Sequence, residues 1–200
     1  MEAAKMGELS TIQFHVSHEV RPYTGVELRP HFLLSELGIR GSAVSVFTGP
    51  CHVKTDHLVD WEDKLAHDRI DAKEMIHFIG EFFGMSLTEG VLTQRFFMAT
   101  LLEVCNEELQ RLEKGALLNR TGDDLWVGDR KLSVSIVTAT PVSVLMHVGI
   151  NIDPKGAPVP AVGLAEIGLD PTRIVSSFSE RFMKEWNDMK WACTKVRPMV

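Results

Sequence analysis

Cysteine is scarce. Cys51, Cys105 and Cys193 are the three in 200 residues, they lie far apart, and no Cys-x-x-Cys pair occurs. This argues against a disulfide framework or a zinc ribbon and for a reducing, cytoplasmic setting. Positive charge is also short. Lys and Arg number 21 against 27 Asp and Glu, a formal net charge of −6. A broad electrostatic grip on nucleic acid is thereby disfavoured, as is a polybasic hold on a membrane surface. No Walker loop, Gly-x-Gly-x-x-Gly, Gly-x-Ser-x-Gly or EF-hand pattern is present. That weakens the cases for a P-loop nucleotidase, a dinucleotide oxidoreductase and an α/β-hydrolase. Repeats, low-complexity tracts and Gly/Ser/Pro-rich linkers are missing, so one domain is expected. The first 15 residues have no apolar core behind a basic head, and no secretory signal is expected there.

One uncharged stretch is long enough to span a bilayer, the 21 residues from Leu132 to Ile152. It holds several Ser and Thr, Pro141, His147 and Asn151, and it is rich in β-branched residues. Two buried strands around a turn fit it better than a membrane helix, and no membrane association is expected.

Local patterns give a coarse plan. Strands are expected over 11–20, 42–48, 51–54, 124–127, 130–138 and 143–152, with Gly128-Asp129 as a two-residue hairpin turn. Pro30 and Gly38 bracket a short helix. Asp71 with Glu74 resembles a capping box opening a helix to Phe83, and Ser86 with Glu89 repeats it before a helix over about 90–113. Asp170 and Pro171 start a last helix with Ile174, Phe178, Phe182, Trp186 and Met189 on its buried face. The mixture implies an α+β fold, a mixed and largely antiparallel sheet flanked by helices.

The 124–152 segment carries the most chemistry. Side chains alternate along a strand, so Lys131, Ser133 and Ser135 share one face, and His147, Gly149 and Asn151 share a face of the next strand. A turn centred near Pro141 would pair Lys131 with Asn151, Ser133 with Gly149 and Ser135 with His147. The product is a polar, small-residue face around a single lysine. It is either an ordinary solvated face or a binding site, where small residues admit a ligand to the backbone and the lysine holds a carboxylate or phosphate.

Asn119-Arg-Thr-Gly-Asp-Asp-Leu-Trp-Val-Gly-Asp-Arg-Lys-Leu-Ser-Val-Ser-Ile136, followed by His147-Val-Gly-Ile-Asn-Ile152, resembles the central motif of biotin and lipoate protein ligases, whose fold is related to class II aminoacyl-tRNA synthetases. The whole chain, with Tyr23-Thr-Gly-Val-Glu-Leu-Arg-Pro30, also resembles an uncharacterised prokaryotic family, domain of unknown function 366. The ligase resemblance implies acyl activation or transfer with ATP and magnesium. It implies Lys131 as the cation at the acyl carboxylate and α-phosphate, Asp124 on the phosphate and metal side, and Asn151 as a ligand hydrogen-bonder. Ser133, His147 and Gly149 would line the site. Gly38-Ile-Arg-Gly-Ser-Ala-Val44 is the nearest counterpart of the family's Gly/Arg-rich phosphate loop, offering Arg40 and Gly41.

Two rival readings stand beside it. One is a non-catalytic ligand-binding or oligomerisation module on the same fold. The other is a metal-dependent hydrolase built on His52, Asp56, His57, Asp60, Glu62, Asp63, His67 and Asp68, a dense set without a fixed metal-binding spacing, so no metal ligand is assigned. Glu27, Arg29 and His31 are read as local caps and ion pairs or as a ligand clamp. Cys51 adjoins His52, but a cysteine nucleophile needs its base across space rather than next in sequence, so a catalytic pair is not expected there. The expected ligand is a small molecule, and a homodimer is expected because two-fold assemblies are the commonest.

Overall fold

The computed structural model describes residues 12–115 and 117–199. In chain order it forms β1 (Gln13–Val20), α1 (Phe32–Leu37), β2 (Ala43–Val53), a 3₁₀ turn (Thr55–His57), α2 (Trp61–Leu65), β3 (Ile70–Phe83) and α3 (Leu87–Arg111). There follow β4 (Asn119–Thr121), β5 (Asp124–Val127), β6 (Arg130–Lys131), β7 (Ser133–Ala139), β8 (Ser143–Asp153), α4 (Leu164–Ile167) and α5 (Pro171–Thr194). Five strands make one sheet in the order β1-β2-β3-β8-β7, antiparallel except for the β1–β2 pair, and β4, β5 and β6 make a small second sheet. The fold is the expected helix-flanked, largely antiparallel α+β arrangement.

The central strand overturns one expectation. Residues 71–83 form most of β3 rather than a helix. Ile76, Phe78 and Phe82 are buried on one side, and Met75, His77 and Ile79 are buried on the other. An amphipathic helix buries one stripe, whereas a central strand covered on both faces buries consecutive residues. Asp71 caps nothing; its carboxylate meets His52 and Arg69. The second box is real. Ser86 Oγ accepts the Glu89 N–H, and Glu89 accepts the Ser86 N–H at 2.6 Å, opening α3.

Helices α3 and α5 cover one face of the sheet. Their core is aromatic, with Phe97 and Phe178 ring centroids 4.4 Å apart and both rings edge-on to Phe78. Each fully buried phenylalanine contributes about 1.5–3 kcal/mol of apolar transfer energy. The opposite face is covered by residues 21–39 and by the segment around Leu58, which pack Tyr23, Phe32 and Leu33 onto Phe47, Met75 and Ile79. That cover stops short of β7, and the gap is the cavity described below.

Residues 132–152 are β7, β8 and their turn, and no helix among the described residues is long and apolar enough to cross a membrane. Their register differs by one residue from the expected pairing. The turn is centred between Pro141 and Val142, where Thr140 Oγ1 accepts the Val142 and Ser143 N–H groups. Val134 therefore faces Gly149, and Ile136 faces His147. A one-residue slip exchanges faces along a whole strand. Ser133 and Ser135 consequently turn toward the helix side.

Candidate functional site

A cavity of about 360 Å³ opens between β8, β7, the small sheet and the segment around α2. Its buried end is formed by Tyr23, Met75 and His147, each at most 3% exposed, with Val134 and Ile136 beside them. Its rim carries Lys131 and Asp124 from the small sheet, and Asp60, Asp63 and Asp68 from the connection after β2. The two constellations that the sequence separates by some 60 positions thus meet at one opening.

Lys131 is held firmly. Its N–H donates to the Pro160 carbonyl at 2.9 Å, its own carbonyl accepts the Val162 N–H at 3.0 Å, and Asn151 Nδ2 donates to that carbonyl at 3.3 Å. Its ammonium lies 2.9 Å from Asp124 Oδ2, and 5.8 Å from the Trp126 ring centroid. Side-chain exposures of 27% and 25% leave the Lys131–Asp124 pair half-buried. Burial raises the Asp124 carboxyl above its ordinary range, against the lowering pull of Lys131. Asp63 is raised as well, by burial first and then by the neighbouring Asp60 and Asp68. Carboxylates outnumber the two cations of the opening, Lys131 and Arg69.

The expected site residues divide. Lys131, Asp124, Asn151 and His147 line the cavity together. Gly149 does not line it but lies beneath Met75 and Val134, where a Cβ would meet Met75 Cε at 2.8 Å and Val134 Cγ2 at 2.9 Å. Ser133 borders the space, but its hydroxyl accepts the Leu125 N–H at 2.8 Å and so ties the two sheets together. Arg40 and Gly41 precede β2, whose far end, Val53, lines the cavity. Even His147, the cavity residue level with Ser45 across β3, is four residues further along the sheet and two strands away from Gly41. They are not brought to the site.

His52 and His57 are engaged apart from one another, while the carboxylates Asp60, Asp63 and Asp68 of the connection after β2 reach the rim. His52 bonds Asp71, His57 Nδ1 lies 3.0 Å from the Thr24 carbonyl, and Asp60 caps α2. Among the described residues no group of three His, Cys, Asp or Glu side chains is arranged to hold a metal ion. Glu27 and Arg29 are engaged locally, with Thr24 and Glu36, and the His31 backbone N–H donates to the distant Glu81 carboxylate. Cys51 is fully buried, and burial pushes its thiol up to about 12, so it offers no thiolate.

Tyr23, at the cavity's inner end, and His77, behind it, escape sequence reasoning. Tyr23 reads only as part of a turn, yet its ring stacks on His147 with centroids 3.7 Å apart. His77, expected on a helix surface, is buried; its Nδ1 lies 3.1 Å from His147 Nε2 and its Nε2 lies 3.2 Å from the Gly49 carbonyl. Reading 70–83 as a strand would have placed His77 on the His147 face, and that parity was the available signal.

Comparison with known proteins agrees with this architecture. Residues 12–197 match the family model for a domain of unknown function, DUF366. The chain is 30% identical over 185 residues to the uncharacterised protein MJ0805 of Methanocaldococcus jannaschii, a match covering 89% of this chain and 81% of that protein. A protein of unknown function from Pyrococcus horikoshi superposes with a TM-score of 0.86 at 31% identity, over 95% of this chain and all of the other. A biotin protein ligase variant of Aquifex aeolicus, in complex with biotin, shares the fold with a TM-score of 0.56 at 12% identity, over 90% of this chain and 72% of the ligase. The chain therefore belongs to the DUF366 family and has the fold of the biotin and lipoate protein ligases.

Proposed function

We propose that this protein binds a carboxylated small molecule in the cavity, with the apolar body of the ligand against Tyr23, Met75, Val134 and Ile136 and its carboxylate at Lys131. The observation that carries this reading is the Lys131 ammonium, half-buried at the edge of an apolar pocket on a backbone fixed by three hydrogen bonds. An ammonium has three donors, and the Asp124 contact leaves others for a ligand carboxylate. In a partly dehydrated setting such a pair is worth more than at an open surface.

The residues present fit poorly the nucleotide phosphates that the fold family implies. Arg40 and Gly41 lie outside the cavity. Asp60, Asp63, Asp68 and Asp124 at its opening outnumber the cations Lys131 and Arg69, and Arg69 is already paired with Asp71. Binding without adenylate formation is accordingly the function we propose.

A thermal-shift series with biotin, lipoate, octanoate and ATP with magnesium tests it. A carboxylate at about 100 times its Kd stabilises the fold by about 2.7 kcal/mol, and Lys131→Ala abolishes that gain. The reading is wrong if no carboxylic acid stabilises the protein, or if the shift survives in Lys131→Ala. Pyrophosphate release from ATP on adding a carboxylic acid would show that the protein activates its ligand as well as holding it.

A further inference from the structure

The inner end of the cavity has a hydrogen-bonding polarity that can be worked out atom by atom. His77 Nε2 lies 3.2 Å from the Gly49 carbonyl, which can only accept, so His77 Nε2 carries a proton. Both histidines are buried, and burial holds both below the ordinary histidine range, His77 at about 4, so neither is charged near neutrality. A neutral imidazole with a proton on Nε2 has a bare Nδ1. His77 Nδ1 must therefore accept, and its partner at 3.1 Å, His147 Nε2, must donate. His147 is then also neutral with its proton on Nε2, and its Nδ1 is a bare lone pair. No described residue donates to that nitrogen, although His147 is 2% exposed and lines the cavity. Tyr23 stacks over the ring and holds it in place.

We infer that the ligand is a carboxylic acid carrying a neutral N–H or O–H donor on its apolar body, and that His147 Nδ1 accepts from that donor. The inference rests on the carboxylate reading above and narrows it. A pure hydrocarbon chain would leave a buried acceptor unpaired, which costs binding; a donor in the same place pairs it. An ammonium group is a poorer occupant, because it would be stripped of water beside a Tyr23–Met75 wall. His77 is a positioning residue here: it touches no ligand and acts by fixing the tautomer of His147.

The test uses matched probes, hexanoate, octanoate and decanoate beside their ω-hydroxy counterparts, with Kd measured by calorimetry and with ¹⁵N histidine spectra of the free and bound protein. In an unassisted apolar cavity the hydroxyl weakens binding. The expected result is that at least one ω-hydroxy acid binds tenfold or more tightly than its parent acid. Its addition should move the His147 Nδ1 resonance, assigned with His147→Phe, while the parent acid leaves it in place. The free protein should show both His77 and His147 as the Nε2–H tautomer. Lys131-dependent binding with no preference for the hydroxyl would overturn this inference and leave the carboxylate reading standing. A free-protein spectrum with the His147 proton on Nδ1 would overturn it without any ligand. Binding by none of the probes, or binding indifferent to Lys131→Ala, would remove the carboxylate reading and this one with it.

Discussion

Lys131 Nζ and Asp124 Oδ2 lie 2.9 Å apart on neighbouring strands of a small three-stranded sheet, at the rim of an apolar cavity. Strand pairing puts Trp126 opposite Lys131 and leaves Asp124 two residues before Trp126, on the same side of β5. The lysine is thus held and partly neutralised at once. An incoming carboxylate must share the ammonium with Asp124. Asp124→Asn removes that competition while keeping the shape, so carboxylate affinity should rise by about tenfold, the equivalent of about 1.4 kcal/mol. Lys131→Ala should lose binding altogether. Calorimetric titration of both variants checks the pair, and weaker binding by Asp124→Asn would mean that Asp124 orients the lysine rather than opposing the ligand.

The same crowding gives binding a pH dependence. Burial and like-charged neighbours raise the carboxyl pKa of both Asp63 and Asp124. A ligand carboxylate adds a further negative charge, raises them again, and so binds together with protons. Affinity for octanoate should therefore increase as pH falls from neutrality toward the carboxylate range, until the ligand itself is protonated. Calorimetry in buffers of different ionisation enthalpy should detect net proton uptake. Proton release on binding would contradict the assigned cause.

Much of this fold is legible in the residues, and the exceptions have physical causes. The Ser86–Glu89 box and the Asp170–Pro171 start open α3 and α5 as the sequence indicates, because caps are local chemistry. Strand β3 misleads because burial on both faces erases the two-residue alternation that marks an exposed strand. The β7–β8 register slips because Thr140, which accepts two turn N–H groups, moves the turn centre half a residue beyond Pro141. His147 and Asn151 share a face of β8 as strand alternation indicates, whereas Lys131 joins them from β6 of the small sheet, outside the β7–β8 hairpin. Tyr23 and Asp63 cannot be anticipated, since they reach the cavity from distant segments that only the tertiary fold brings together.

Gly90 shows how closely α3 is set on the sheet. A Cβ there would fall 2.4 Å from Val144 Cγ1 and 3.1 Å from Val137 Cγ1. Alanine favours a helix over glycine by about 1 kcal/mol, which alone would make Gly90→Ala stabilising. Valine is stiff at χ1, however, and Val144 lies in the buried strand β8, so the contact cannot be relieved by a side-chain turn. Overpacking of this kind costs about 1–3 kcal/mol. Gly90→Ala should lower the urea midpoint with no change in m-value; a raised midpoint would mean that the helix shifts freely on the sheet.

The His77–His147 pair predicts a loss of stability in mild acid, and the sign follows from burial. Burial lowers His77 from an ordinary 6.5 to about 4 and holds His147 well below 6.5. The unfolded chain therefore takes up protons at these two positions before the folded one does. Below pH 6.5 protonation favours unfolding, and the stability they contribute is fully present only above that value. The slope approaches about 1.4 kcal/mol per pH unit for each histidine between pH 6 and pH 5, before carboxylates in the unfolded chain titrate extensively. His77→Gln keeps a donor for the Gly49 carbonyl and an acceptor for His147 while removing one titrating group. Urea unfolding across this range should show the slope of His77→Gln reduced by about one proton relative to the unsubstituted protein. An unchanged slope would mean that His77 is already protonated in the fold, and the neutral relay from Gly49 to His147 would then be wrong.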